Sequence, residues 1–156
     1  MKLTDIITQK MVIYPLQGES KEAVIREMVL HLKKLEKIND PNTIFDTIME
    51  RERIMTTGVG HHIAIPHGKS VDIHEIIVLL GLQPNGIDFD SLDKLPVHIV
   101  FLLLTSEKDK GIHIRLLSRI SRLLNRIECR RALIAAQSTE DALEILRHAE
   151  EQWFEI

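Results

Sequence analysis

RERIMTTGVGHHIAIPHGK, residues 51–69, is the run that organises the reading of this chain. It closes on His67, set between Pro66 and Gly68. Proline fixes its own φ and pushes the residue before it, Ile65, toward extended geometry, while Gly68 leaves the backbone free just beyond the imidazole. Upstream, residues 56–60 (TTGVG) read as a loop that delivers a short apolar strand over residues 63–65, so the ring is presented at a strand end. Such a display suits a nucleophile or a ligand. It also suits an ordinary polar loop histidine, and local chemistry leaves both readings open.

Working outward toward the N-terminus, Asp40-Pro41 places an N-cap residue before a proline at the first helical position, and Ile44, Phe45, Ile48 and Met49 recur as the buried stripe of the helix that follows. Arg51 falls at the end of that helix and off its stripe, where it reads as a solvated charge that complements the helix dipole. Ser20 caps an earlier helix with Ala23, Val24, Met28, Leu32 and Leu35 at helical spacing. Before it come a turn or short helix over residues 2–8 and a strand over residues 11–14 that ends at Pro15.

Beyond His67, residues 75–83 hold an unbroken apolar run, Ile76 to Leu80, as in a strand covered on both faces. Pro84-Asn85-Gly86 reads as a turn, residues 87–89 as a short alternating piece, and residues 97–104 as a second doubly covered strand. Asp109 is placed to cap a helix carrying Leu116, Leu117, Ile120, Leu123, Leu124 and Ile127, with His113 in its first turn, at the end of a helix that favours anions. A short helix over residues 128–137 follows. Ser138-Thr139-Glu140-Asp141 then resembles a variant capping box for a last helix with Leu143, Leu146, Ala149 and Trp153 inward. Helices alternate with apolar strands, with no internal repeat and no linker, so the expected fold is α/β: one domain over residues 1–156, a single mixed β-sheet flanked by helices on both faces.

Composition narrows the function. The chain has 156 residues and a formal net charge of −3, and its basic residues are dispersed apart from the arginines between Arg115 and Arg131, so no electrostatic footprint for nucleic acid is present. No stretch approaches the roughly 18 apolar residues of a membrane helix, and Lys2, Asp5 and Lys10 interrupt any leader-like run, which points to a cytoplasmic protein without membrane insertion. The single cysteine, Cys129, forbids an internal disulfide and sits in a helical pattern as a structural residue.

The run RERIMTTGVGHHIAIPHGKS resembles the active-site segment of the type-2 IIA phosphocarrier domains of the phosphoenolpyruvate-dependent sugar phosphotransferase system, the fructose, mannitol and nitrogen-regulatory group. The segments NGIDFDSLDKLPVHIVFLLLTSE and GIHIRLLSRISRLL resemble the same family in order and spacing. The resemblance implies that His67 is phosphorylated through Nε2 and that Arg51, in Met49-Glu50-Arg51-Glu52, supports it. It implies the same supporting role for His113, which opens the helix after the last long strand. It implies a phosphotransferase with a phosphohistidine intermediate and no cofactor or metal. The phosphoryl group would come from the small carrier HPr, or its nitrogen-branch equivalent, and pass to a IIB-type acceptor. A histidine in that role needs a neutral ring nitrogen, a hydrogen bond fixing the other nitrogen, and donors around the transferring oxygens.

Many members of the family carry a glycine or other small residue where this chain has His62, so His61-His62 adds imidazoles beside the loop; they read as a solvent-facing pair. Two other readings stand beside the phosphocarrier. One is a purely regulatory binding protein whose phosphorylation state selects its partner, which the absence of any IIB-like or IIC-like segment in these residues favours. The other is a metal site built from His61, His62, His67 and His113, a set with no cysteine or carboxylate to complete a regular ligand spacing.

Overall fold

The computed structural model describes residues 1–154; residues 155 and 156, the end of the domain expected over 1–156, lie outside the described residues. Two 3-10 turns, Leu3–Asp5 and Gln9–Met11, lead into β1 (Val12–Ile13), and the helices α1 (Lys21–Lys34) and α2 (Pro41–Ile54) follow. Next come β2 (Gly58–Gly60), β3 (Ile63–Ala64), β4 (His67–Ser70), β5 (Ile77–Ile87) and β6 (Val97–Ser106). Three helices close the described chain: α3 (Lys110–Leu124), α4 (Ile127–Ala135) and α5 (Thr139–Phe154).

The strands form one mixed sheet in the order β1-β5-β6-β3-β2, with β4 also paired to β6. β5 and β6 run antiparallel through the middle, β1 lies parallel to β5, and β3 and β4 both lie parallel to β6. Along β6, the side chains from Val97 to Thr105 are buried except for His98, so both faces of the sheet are covered, as the unbroken apolar runs require. α1 and α2 pack on each other and on β5 and β4 respectively; α3 and α4 pack against β6, and α5 packs on α4, α3 and β1.

The helix starts follow their cap residues. The Ser20 hydroxyl accepts from the Ala23 amide at 3.2 Å, and Asp40 Oδ1 accepts from the amides of Asn42 and Thr43, with Pro41 at the first helical position. Ser138 accepts from the Asp141 amide, as the expected capping box requires, but the Asp141 carboxylate accepts from the Gln137 amide, one residue before the cap, so only half of that box forms. Asp109 occupies the N-cap position of α3, but its side chain makes no cap bond.

Other local expectations are corrected. The TTGVG run contains strand β2, and Gly60 pairs across to Ile63, so His61-His62 forms a two-residue hairpin turn. Pro84-Asn85-Gly86 is no chain reversal: the residues stay within β5, where the pairing with β6 shifts register between Leu82 and Ile87. Ile127 opens α4 instead of extending the stripe of α3, and Ala23 is exposed while Ile25 and Val29 take the buried positions of α1.

One buried carboxylate ties the C-terminal helix to the start of the chain. Glu150 on α5 accepts from the amides of Leu3 and Thr4, from the Thr4 hydroxyl and from Arg119 Nε at 2.7–2.9 Å. Burial pushes this carboxyl upward, but the Arg119 guanidinium and the Thr4 and Leu3 donors outweigh it and hold the group below its ordinary range.

Candidate functional site

His67 begins β4, and Pro66 explains why the strand is broken before it. Lacking an N–H, proline interrupts the edge between β3 and β4, yet its carbonyl still accepts from the Leu103 amide at 3.1 Å, so both pieces stay aligned on β6. His67 is therefore held within an interrupted strand, half-buried, and is no freely displayed loop residue. Gly68 has a different use from the one its sequence position suggests. An added Cβ would lie 3.1 Å from Thr47 Cγ2, so the glycine lets α2 pack closely on β4.

The His67 ring is oriented by its own backbone neighbourhood. Nδ1 lies 2.8 Å from the Ile65 carbonyl oxygen, which can only accept, so Nδ1 carries the proton and the lone pair of the neutral ring sits on Nε2. Burial lowers the ring's affinity for a second proton; the Ile65 bond opposes this, and the positive charges of Arg51 and Lys69 add to the lowering. Near neutral pH the site thus presents an uncharged imidazole with a free nucleophilic nitrogen.

His113 comes to the same place from the first turn of α3. Its ring centroid lies 5.3 Å from that of His67, with the planes inclined by 60°. Only 3% of His113 is exposed, and its Nδ1 is bonded at 2.6 Å to the hydroxyl of Thr105, a fully buried residue of β6. Burial first, then the charges of His67 and Lys69, push its pKa down to about 4. Arg51 lies at the end of α2, partly buried, where Nη1 donates to the Met55 carbonyl at 2.9 Å. That bond anchors the guanidinium at the helix C-terminus.

Three residues of this neighbourhood escaped the sequence reading. Lys69 follows His67 by two positions on β4, which places both side chains on one face of the strand. Thr105 is its register partner on β6 and a hydroxyl in an otherwise apolar run, a signal that a buried partner exists. Glu52 is buried at 4% exposure and accepts from the Thr57 amide and hydroxyl and from Lys21 Nζ, the last at 3.0 Å.

The remaining histidines lie apart from this pair. His61 and His62 both have positive φ, 56° and 69°, the backbone that a two-residue hairpin demands and that glycine adopts most readily. His62 packs on His98, 5.3 Å between centroids, and its Nδ1 donates to the Pro96 carbonyl at 2.7 Å. The four histidines of the proposed metal set are thus split between two pairs. Among the described residues no three His, Cys, Asp or Glu side chains are grouped to hold an ion. Among the described residues no helix is long and apolar enough to cross a membrane.

Residues 5–149 match the family model described as phosphoenolpyruvate-dependent sugar phosphotransferase system, EIIA 2. The chain is 36% identical over 146 residues to the fructose-specific EIIABC component of Bacillus subtilis, a match that takes in 94% of this chain and 23% of that protein, so it spans about a quarter of that relative's length. It is 32% identical over 146 residues to a nitrogen regulatory protein of Bradyrhizobium diazoefficiens, covering 94% of this chain and 95% of the other. Among solved structures, nitrogen regulatory protein IIA-Ntr of Neisseria meningitidis superposes with a TM-score of 0.86 at 26% identity, covering 92% of this chain and 98% of that one.

Proposed function

Since the chain belongs to the type-2 EIIA family of the phosphoenolpyruvate-dependent sugar phosphotransferase system, we propose that it carries a phosphoryl group on Nε2 of His67. The observation that carries this reading is the Nδ1–H bond to the Ile65 carbonyl, which leaves Nε2 unprotonated for attack. The donor is a phosphohistidine on an HPr-like carrier. The Nε2 lone pair attacks its phosphorus in line, a new N–P bond forms, the donor's N–P bond breaks, and its electron pair returns to the donor imidazole. His67, protonated at Nδ1 and bonded to phosphorus at Nε2, becomes a cationic ring, which the Ile65 carbonyl stabilises. Arg51 and His113 serve as supporting groups for the phosphoryl oxygens, Arg51 through a permanent charge and a planar fork of donors. Positioning and charge stabilisation carry most of such a transfer.

A IIB-type acceptor is the next station in this reading, and the Bacillus relative bears A, B and C in one name. A second reading keeps the same chemistry and ends it in regulation, with the phosphorylation state selecting a bound target. The near full-length match to a nitrogen regulatory protein favours it. Either reading puts the protein in the cytoplasm, where the thiol of Cys129 stays reduced.

The test is incubation with phosphoenolpyruvate, enzyme I and HPr, followed by intact mass and acid treatment. One added phosphoryl group that acid removes is expected. No gain in mass with an active donor overturns the reading.

A further inference from the structure

We propose that Glu52 and Thr57 are positioning residues that set the orientation of the His67 ring, through a continuous hydrogen-bonded chain from α1 and α2 to the imidazole. The proposal rests on the reading of His67 as the phosphoryl acceptor and adds to it the residues that hold the acceptor in place. The chain begins at Lys21 of α1, whose Nζ lies 3.0 Å from Glu52 Oε2 at the end of α2. The Glu52 side chain receives the Thr57 amide at 3.2 Å and also the Thr57 hydroxyl. Thr57 is only 3% exposed, so these groups have no water to turn to. The Thr57 carbonyl in turn accepts from the Ile65 amide at 3.1 Å, and the Ile65 carbonyl accepts from His67 Nδ1 at 2.8 Å.

No proton moves along this chain; each link fixes where the next atom sits. Residue 57 is clamped by Glu52 from one side and holds residue 65 from the other. The direction of the Ile65 carbonyl then selects both the tautomer of His67 and the aim of Nε2. A carboxylate suits the clamp, because every neighbour that reaches it donates. The arrangement also couples the two ends of the pocket: Glu52 follows Arg51 directly, so one turn of α2 bears both the guanidinium anchored on Met55 and the clamp on the strand leading to His67. A residue that served stability alone would have no need of this route to the ring.

Two substitutions separate the roles. Thr57→Val keeps the shape and the Lys21–Glu52 pair but loses the hydroxyl, while Glu52→Gln replaces an all-acceptor group with one that also donates. The readouts are the nitrogen–proton spectrum of the His67 imidazole at neutral pH and the kcat and KM for phosphoryl acceptance from phospho-HPr. In both folded variants the His67 Nδ1–H signal is expected to shift and exchange faster. The acceptance kcat is expected to fall by about 10- to 100-fold with little change in KM, as misplacement of a reacting atom does. Thr57→Ser restores both. If folded Thr57→Val and Glu52→Gln keep the wild-type imidazole signals and rate, the proposal is overturned. Should Glu52→Gln fail to fold, Thr57→Val decides alone. If the wild-type chain accepts no phosphoryl group, the functional reading fails separately, and the imidazole spectra still decide whether Glu52 and Thr57 hold the ring.

Discussion

The rings of His67 and His113 meet edge to face, 5.3 Å between centroids, although the two residues come from a strand and a helix 46 positions apart in the chain (113 − 67). Two neutral imidazoles tolerate this approach and two imidazolium ions repel each other, so His67 adds to the burial that makes His113 hard to protonate.

His67→Ala is expected to abolish phosphate incorporation while leaving the fold intact, since the ring is half-buried, is bonded to a carbonyl two residues away and adds little to the core. Intact mass after exposure to phospho-HPr, with circular dichroism on the same sample, checks both halves. Full labelling of the variant would sink the assignment.

Arg51 and His113 should fail differently. Arg51→Lys keeps the charge but loses the fork of donors, and transfer should slow by about 10- to 1000-fold, the range for losing one stabilising donor. His113→Ala should still accept phosphate, more slowly, and should also lose about 1–3 kcal/mol of stability because the Thr105 hydroxyl is left buried without its partner. Quench-flow from phospho-HPr and urea unfolding measure the two effects. Wild-type rates in both variants would make them bystanders.

The protonation of His113 should report the state of His67. Its pKa of about 4 lies below the ordinary histidine value, so the ring is neutral at pH 7. An anionic phosphoryl group on His67 favours the imidazolium, and the His113 pKa should rise on phosphorylation, read from its ring signals in an NMR titration. The same depression sets a stability slope. The unfolded chain binds this proton near pH 6.5 and the folded chain only near pH 4, so its contribution is fully present above about 6.5 and is lost as the pH falls toward 4. His113→Asn should flatten unfolding free energy against pH across that window; an unchanged slope would count against the buried neutral ring.

Glu150→Ala should be among the more destabilising single changes, about 3 kcal/mol, because it strands the amides of Leu3 and Thr4 and removes a buried ion-pair partner of Arg119. The wild-type carboxyl is held below its ordinary range, so its contribution is present above the unfolded value and fades on acidification. Chemical denaturation at neutral and acidic pH measures this, and a loss that is equal at both would contradict it.

Cys129 should be chemically quiet. Burial pushes its thiol up to about 11, leaving almost no thiolate at pH 7. Slow labelling by iodoacetamide in the native state, fast labelling after unfolding, and unchanged phosphoryl acceptance in Cys129→Ala are expected. A tenfold loss of acceptance in the folded variant would give the thiol a role.

What the sequence determined by itself is whatever depends on neighbours along the chain. Apolar periodicity and cap residues located the helices of Ser20, Asp40 and Ser138, and unbroken apolar runs identified the two central strands as covered on both faces. His67, Arg51 and His113 were legible as candidates through the motif that surrounds them. Local signals misled where a distant partner outweighed them. Pro84-Asn85-Gly86 carries the residues of a turn, and Gly86 has a positive φ of 76°, yet the flanking pairs Leu82–Ile99 and Ile87–Val97 make it a bulge within β5; TTGVG carries the residues of a loop, yet β3 draws part of it into the sheet. Only the tertiary structure decided that the His67 and His113 rings meet edge to face, that Thr105 sits behind His113, and that Glu52 and Thr57 lie behind the Ile65 carbonyl. The physical reason is burial. A hydroxyl or carboxylate withdrawn from water must find its partner in space, and the sheet register and helix packing that supply the partner join residues far apart in the sequence.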